Sequence, residues 1–247
     1  MRELIEPLVS NVYWVKSAIG TYDGVSQHAL ALNERHAHFF GLVQIFSLDS
    51  AVLGICRMFD TSNKRYKKHT VPELFNRLER HLTSSYMERL RPRLLVALGV
   101  GEEDAREVVN ALQRGNDFEQ AKLRMLTLID SVMPTVERSP ALEKLFSVRN
   151  KVIAHQEQLD EALKEELRLL PSLEDMEKLV QWVRDFCELL CCILTPDATW
   201  VDSVVSARMA ALNVAAKLLG KDFNDPSKSL AENHREREAF YKRGCEA

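Results

Sequence analysis

Apolar residues recur at steps of three and four along nearly the whole chain, and no run of β-branched residues alternates with polar ones. A period near 3.6 lets a helix bury one face, whereas a half-buried strand needs a period of two. The pattern therefore predicts an all-α fold, an irregular or up-and-down helical bundle. Helix breakers are few, with 9 Gly and 8 Pro in 247 residues. A chain that is 46% hydrophobic and 28% charged buries too much apolar surface to stay disordered. Its length is ample for one large core. No repeat appears at a period of 20–50 residues. The formal net charge of −3 rules out a polycation that coats nucleic acid nonspecifically. GxGxxG, P-loop, GxSxG and HExxH patterns are all missing, so the nucleotide, serine-hydrolase and zinc-protease classes that they mark lack support.

Helix boundaries are legible at several places. Residues 3–19 form an amphipathic run, and residues 25–60 carry one very long helical pattern with a break expected near Glu34–His38. Thr70-Val71-Pro72-Glu73 has capping-box spacing and opens a helix to about His81. Residues 84–98 read as the next helix, and 102–114 as a short one closed by Gly115. Asp117 with Gln120 caps a helix that should stop or kink near Pro134. Ser139-Pro140 opens another, to about His155. Residues 157–171 are polar and acidic, with at most a short helix. Ser172 with Asp175 caps a strong helix to about Leu194, ended by Pro196. Residues 202–219 form a last helix, and the charged tail from Lys221 should be loosely held.

The N-terminus has no continuous apolar signal segment, because Glu3, Glu6, Pro7 and Lys16 interrupt it. The most apolar stretch, LVQIFSLDSAVLGICRMF, contains Asp49 and Arg57 and reads as a buried core helix. No membrane association is expected, and the cytoplasm is the expected compartment. Five cysteines without framework spacing do not make a disulfide scaffold. Cys187 and Cys191 can share a helix face, but no second Cys/His pair completes a zinc site, so no metal and no cofactor is expected.

Two charges interrupt apolar stripes. Leu142, Leu145, Phe146, Arg149, Val152 and Ile153 line one helix face, with Arg149 in the middle. A guanidinium on such a face is costly unless it is paired or opens to a cleft. Leu42, Ile45, Phe46, Asp49, Val52, Leu53 and Cys56 form a second stripe centred on Asp49. An interhelical Asp49–Arg149 ion pair is the structural expectation. His155 follows Arg149 by six residues, about 240° of helix rotation, so the two do not stack on one face.

The string Arg149-Asn150-Lys151-Val152-Ile153-Ala154-His155 resembles the R-x(4–6)-H signature of the HEPN superfamily (higher eukaryotes and prokaryotes nucleotide-binding domains). FFGLVQIFSLDSAVLGICRMFD, the polar TSNKRYKKHTVPEL after it, and RNKVIAH about 90 residues later are similar to the abortive-infection U-type branch. The resemblance covers roughly residues 10–195 and implies a HEPN-like bundle within a single all-helical domain, 1–247, with an added helix and charged tail over about 200–247. It also implies a homodimer with the motifs near the two-fold axis, and either a metal-independent endoribonuclease, as active members are, or an RNA-binding protein, in bacterial antiviral, abortive-infection or toxin-type defence. His155 would be the general acid/base, Arg149 would hold the scissile phosphate, and Asn150 would orient the phosphate or His155. RNA and an antitoxin or defence-system protein are the implied partners. In a related group a Tyr that becomes modified stands two residues after the His, where this chain has Glu157. The alternative function is a noncatalytic dimeric module in which Arg149 only balances an acid.

Charge is uneven along the chain. Residues 57–93 hold ten Lys/Arg against four acids, net +6, and residues 157–177 hold eight acids against two bases, net −6. Lys64, Arg65, Tyr66, Lys67 and Lys68 are the densest basic part, with one ring able to stack on a base. They read either as an RNA-binding rim or as a solvated loop. Arg57 and Asp60, three apart at a helix end, read as an intrahelical pair or a cap.

Overall fold

The computed structural model describes residues 2–60, 69–115, 117–150, 171–194, 210–211, 214–216, 218–219, 221 and 229–242. Among these every regular element is helical, and the fold is an all-α, HEPN-like bundle. The chain divides into two compact units, residues 1–12 with 52–201, and residues 13–51 with 202–247.

Helix α1, Arg2–Ser26, and helix α2, Ala29–Phe59, open the chain. In the first unit, Ile5, Leu8 and Val12 of α1 are buried, and Asn11 Nδ2 donates to Gly54 O of α2 at 3.0 Å. Helix α3, Val71–His81, begins as expected at Thr70, whose Oγ1 accepts from Glu73 N at 3.4 Å. The single helix expected over 84–98 is instead a 3-10 turn, Ser84–Arg89, followed by α4, Pro92–Ala97. Pro92 explains the break. It holds Arg91 extended, at φ −126 and ψ 139, and has no N–H for a preceding turn.

Helix α5, Glu102–Arg114, ends at Gly115, whose φ of 71° is left-handed and favours glycine. Helix α6, Phe118–Glu137, differs from its expected form at both ends. Asp117 is itself left-handed, at φ 56°, and its carbonyl rather than its side chain accepts from Gln120 and Ala121. At the other end Pro134 does not stop the helix, which runs on until Arg138 N bonds to Pro134 O. One missing N–H is tolerated there because buried Ile129 and Met133 hold the turn in the core. Helix α7, Pro140–Val148, has Ser139 as cap, and helix α8, Leu173–Leu194, has Ser172.

Helix α8 is the centre of the first unit. It packs on α4, on the 3-10 turn and on α7, while α5 lies against α4 and α6. Its buried residues Met176, Leu179, Val180, Val183, Phe186, Cys187 and Leu190 follow the three-and-four step. Trp182 stacks on Phe186, with centroids 5.8 Å apart and planes 6° apart, and donates Nε1–H to Leu98 O at 2.9 Å. Gln113 of α5 donates to Met87 O and Leu90 O, tying the 3-10 turn down.

In the second unit Val25, Leu32, Phe40 and Ala215 form a buried cluster, with Val43, Ala211 and Leu219 against it. Helix α9, Leu230–Lys242, occupies what was expected to be a loosely held tail. Its start is a reciprocal capping box: Glu232 N donates to Ser229 Oγ at 3.2 Å, and Ser229 N donates to Glu232 Oε2 at 2.8 Å. Ser229-x-x-Glu232 carried that signal in the sequence.

The apolar stripe of α2 also differs from expectation. Val52, Ile55, Cys56, Met58 and Phe59 are buried, but Phe39, Ile45 and Phe46 are each more than half exposed. By length and mean hydropathy alone Ala37–Phe59 suffices to cross a membrane, and 33% of its 18-residue apolar stretch is buried. Its C-terminal part belongs to the core of the first unit.

Candidate active site

The first unit brings together the C-terminal ends of α2 and α7. Helix α7 buries Leu142, Leu145 and Val148, then widens into a π turn at Arg149 and Asn150. Such turns re-aim side chains and recur at functional sites. The Arg149 N–H still bonds back to Leu145 O and Phe146 O, so its backbone is held by the helix. Helix α2 ends at buried Phe59, whose ring tilts on Trp182 at 6.4 Å, and Asp60 follows at once.

Asp60 and Arg149 meet. Arg149 Nη1 donates to Asp60 Oδ1 at 2.6 Å, and both side chains are mostly buried, at 24% and 21% exposure. Arg149 Nε donates to Asn150 Oδ1 at 3.1 Å. The guanidinium carbon lies 4.7 Å from the centre of the Phe146 ring, one helical turn back, in cation–π contact. The guanidinium is thus held on two edges and one face. Among the described residues no hydrogen bond reaches its Nη2.

The acid that engages Arg149 is Asp60, just past the end of α2 and eleven residues beyond Asp49. Asp49 is half-buried, and burial pushes its carboxyl up from the usual range. Asp60, expected to serve an intrahelical pair with Arg57, turns instead to a second helix, while Arg57 is exposed. Stripe reasoning weights the middle of an apolar run and so passes over a residue at its end. The signal for Phe146 was its i, i+3 spacing from Arg149. Asn150 touches Arg149 through its Oδ1. His155 and the basic run Lys64, Arg65, Tyr66, Lys67 and Lys68 lie outside the described residues.

Cys56, one turn before Asp60, is buried and close enough to feel the charge of both partners. Burial pushes its thiol up to about 12; the Arg149 charge opposes this, and Asp60 adds to the rise. A neutral, buried thiol is a poor nucleophile. Burial also raises the Cys187 thiol and, with less force, that of half-buried Cys192. Native protein treated with a thiol reagent at pH 7 is expected to label Cys192 and to spare Cys56, Cys187 and Cys191. Mass spectrometry of each cysteine, before and after denaturation, checks this. The folded Cys56 value lies above that of a free thiol. Its contribution to stability is therefore intact below about pH 9 and lost as pH rises toward about 12.

Among the described residues no group of three or more His, Cys, Asp or Glu side chains is placed to hold a metal ion. What the arrangement offers is a fixed, planar cation whose Nη2 meets no acceptor among the described residues, a geometry that suits a phosphate oxygen.

A family model described as AbiU2, of the HEPN type, matches residues 21–208, a span that contains Asp60, Arg149 and His155. Comparison with curated proteins and with solved structures gives no match. The family match covers most of the chain and the architecture is the all-helical one it calls for, so the chain belongs to the AbiU2 family of abortive-infection-related HEPN proteins.

Proposed function

We propose that this protein is a metal-independent endoribonuclease of abortive-infection defence, acting in the cytoplasm as a homodimer. The observation that carries the reading is Arg149. A guanidinium held by Asp60, Asn150 and Phe146 opens the string RNKVIAH, in which the family resemblance assigns a phosphate-binding Arg and a general acid/base His. In the proposed reaction His155 takes the proton of a ribose 2′-OH. The 2′ oxygen attacks the adjacent phosphorus, the bond from phosphorus to the 5′ oxygen breaks, and a proton passes to that leaving oxygen. The products are a 2′,3′-cyclic phosphate and a 5′-hydroxyl. Arg149 stabilises the charge that builds on the phosphate oxygens. The run from Lys64 to Lys68 supplies phosphate contacts along the strand, with Tyr66 as a stacking ring. An antitoxin or other defence-system protein is the proposed regulator.

Incubating the purified protein with RNA in EDTA tests this. The expected result is cleavage with cyclic-phosphate ends, and a loss of about 100-fold in His155→Ala. Equal cleavage by His155→Ala removes His155 from the chemistry. A second reading has a specific observation in its favour: the 2.6 Å Asp60–Arg149 pair is closed and mostly buried. In that reading the protein is a noncatalytic dimeric helical module and Arg149 is structural. Wild-type protein that leaves RNA intact under all divalent-ion conditions favours it.

A further inference from the structure

We infer that Asp60 is the positioning residue for Arg149, setting the direction in which the guanidinium presents its remaining donors to an RNA phosphate; this rests on the endoribonuclease reading. Arginine has a long, flexible stem, and its planar fork acts with geometric precision only when something fixes the plane. Here the plane has three supports, and they differ in kind. Phe146 supports the face but permits sliding and rotation above the ring. Asn150 accepts from Nε at 3.1 Å through a neutral oxygen of the adjacent residue, itself exposed. Asp60 is the charged support, the shortest at 2.6 Å, and it comes from a separate helix.

Asp60 is also anchored. Its neighbour Phe59 is buried at the end of α2 against Trp182. Trp182 is fixed in turn by its stack on Phe186 and its hydrogen bond to Leu98 O. The rigid aromatic group therefore determines where the Asp60 backbone leaves α2, and the carboxylate carries that placement to Arg149. Among the described residues Nη1 and Nε are engaged and Nη2 is not, so the Nη2 side of the fork is the one that faces a ligand in this proposal.

Asp60→Asn keeps the shape and removes the charge. Cleavage of an RNA oligonucleotide in EDTA is expected to lose about 10- to 100-fold in kcat with KM changed less than about threefold, as a misaimed group costs rate rather than affinity. Asp60→Glu, which retains a carboxylate, is expected to recover part of the loss. Wild-type kcat in Asp60→Asn overturns the inference. A raised kcat also overturns it, because the carboxylate would then be blocking the guanidinium. A readout independent of RNA accompanies this. With ¹⁵N-labelled arginine, the Arg149 Nη signals are expected to be resolved by slow guanidinium rotation in the wild type and averaged in Asp60→Asn. Unchanged signals overturn the positioning role. If the wild type does not cleave RNA but the signals average in the variant, the nuclease reading fails and the positioning of Arg149 by Asp60 stands.

Discussion

Phe186→Ala is expected to lower the stability of the protein by roughly 3–5 kcal/mol, the range for truncating a large aromatic in a packed core. Phe186 is fully buried at 0% exposure on the central face of α8. Removing its ring forfeits transfer free energy and leaves a cavity. The loss reaches further than one side chain because Trp182 stacks on that ring and Phe59 tilts on Trp182. With Phe186 gone, Trp182 loses its stacking partner and keeps its indole bond to Leu98 O and its tilted contact with Phe59. Phe186→Leu refills most of the volume and is expected to cost about half as much or less. Urea denaturation followed by far-UV circular dichroism measures both, and a loss under 1 kcal/mol for Phe186→Ala would show that the face collapses freely. Such a loss is a large share of the 5–15 kcal/mol that usually separates folded from unfolded chains.

Much of this arrangement is legible from residue order because local rules decide it. Thr70, Ser139 and Ser172 cap the helices they were expected to cap, since a hydroxyl three residues from a free N–H needs no tertiary information. Gly115 ends its helix for an equally local reason, the left-handed turn. The misplacements have local causes that compete. Pro92 outweighs the apolar period of residues 84–98, whereas Pro134 is outweighed by the buried turn around it. The missed α9 is a different case: high charge masked the Ser229–Glu232 capping signal. Arg149 stands out in sequence because a charge on an apolar stripe is costly. Its partner does not, because Asp60 sits where α2 ends, and only the meeting of two helix ends puts it there. The exposed Phe39, Ile45 and Phe46 show the same limit, as periodicity marks a face without saying which part of it is covered.

Arg149→Lys is expected to separate the structural role of this residue from its proposed chemical one. Lysine keeps the positive charge and reaches a carboxylate, so the charge pairing with Asp60 is retained. Stability should therefore fall by less than about 1 kcal/mol, whereas Arg149→Ala removes the 2.6 Å hydrogen bond to Asp60 and the contact with Phe146 and is expected to cost about 1–3 kcal/mol. Cleavage should behave otherwise. An ammonium has no planar fork; it cannot hold Asp60, Asn150 and a phosphate oxygen along fixed directions, and it sits less well over Phe146. Loss of a preoriented donor to developing charge is worth about 10²- to 10³-fold in rate, so Arg149→Lys and Arg149→Ala should both be impaired on that scale despite their different stabilities. A noncatalytic module has no reason to show that pattern, since its only readouts, stability and assembly, would rank lysine near arginine and well above alanine. Paired measurement of urea midpoints and single-turnover RNA cleavage decides the matter. Full activity in Arg149→Lys would mean that charge alone serves at this position, and the geometry built by Asp60, Asn150 and Phe146 would then belong to the fold rather than to the reaction.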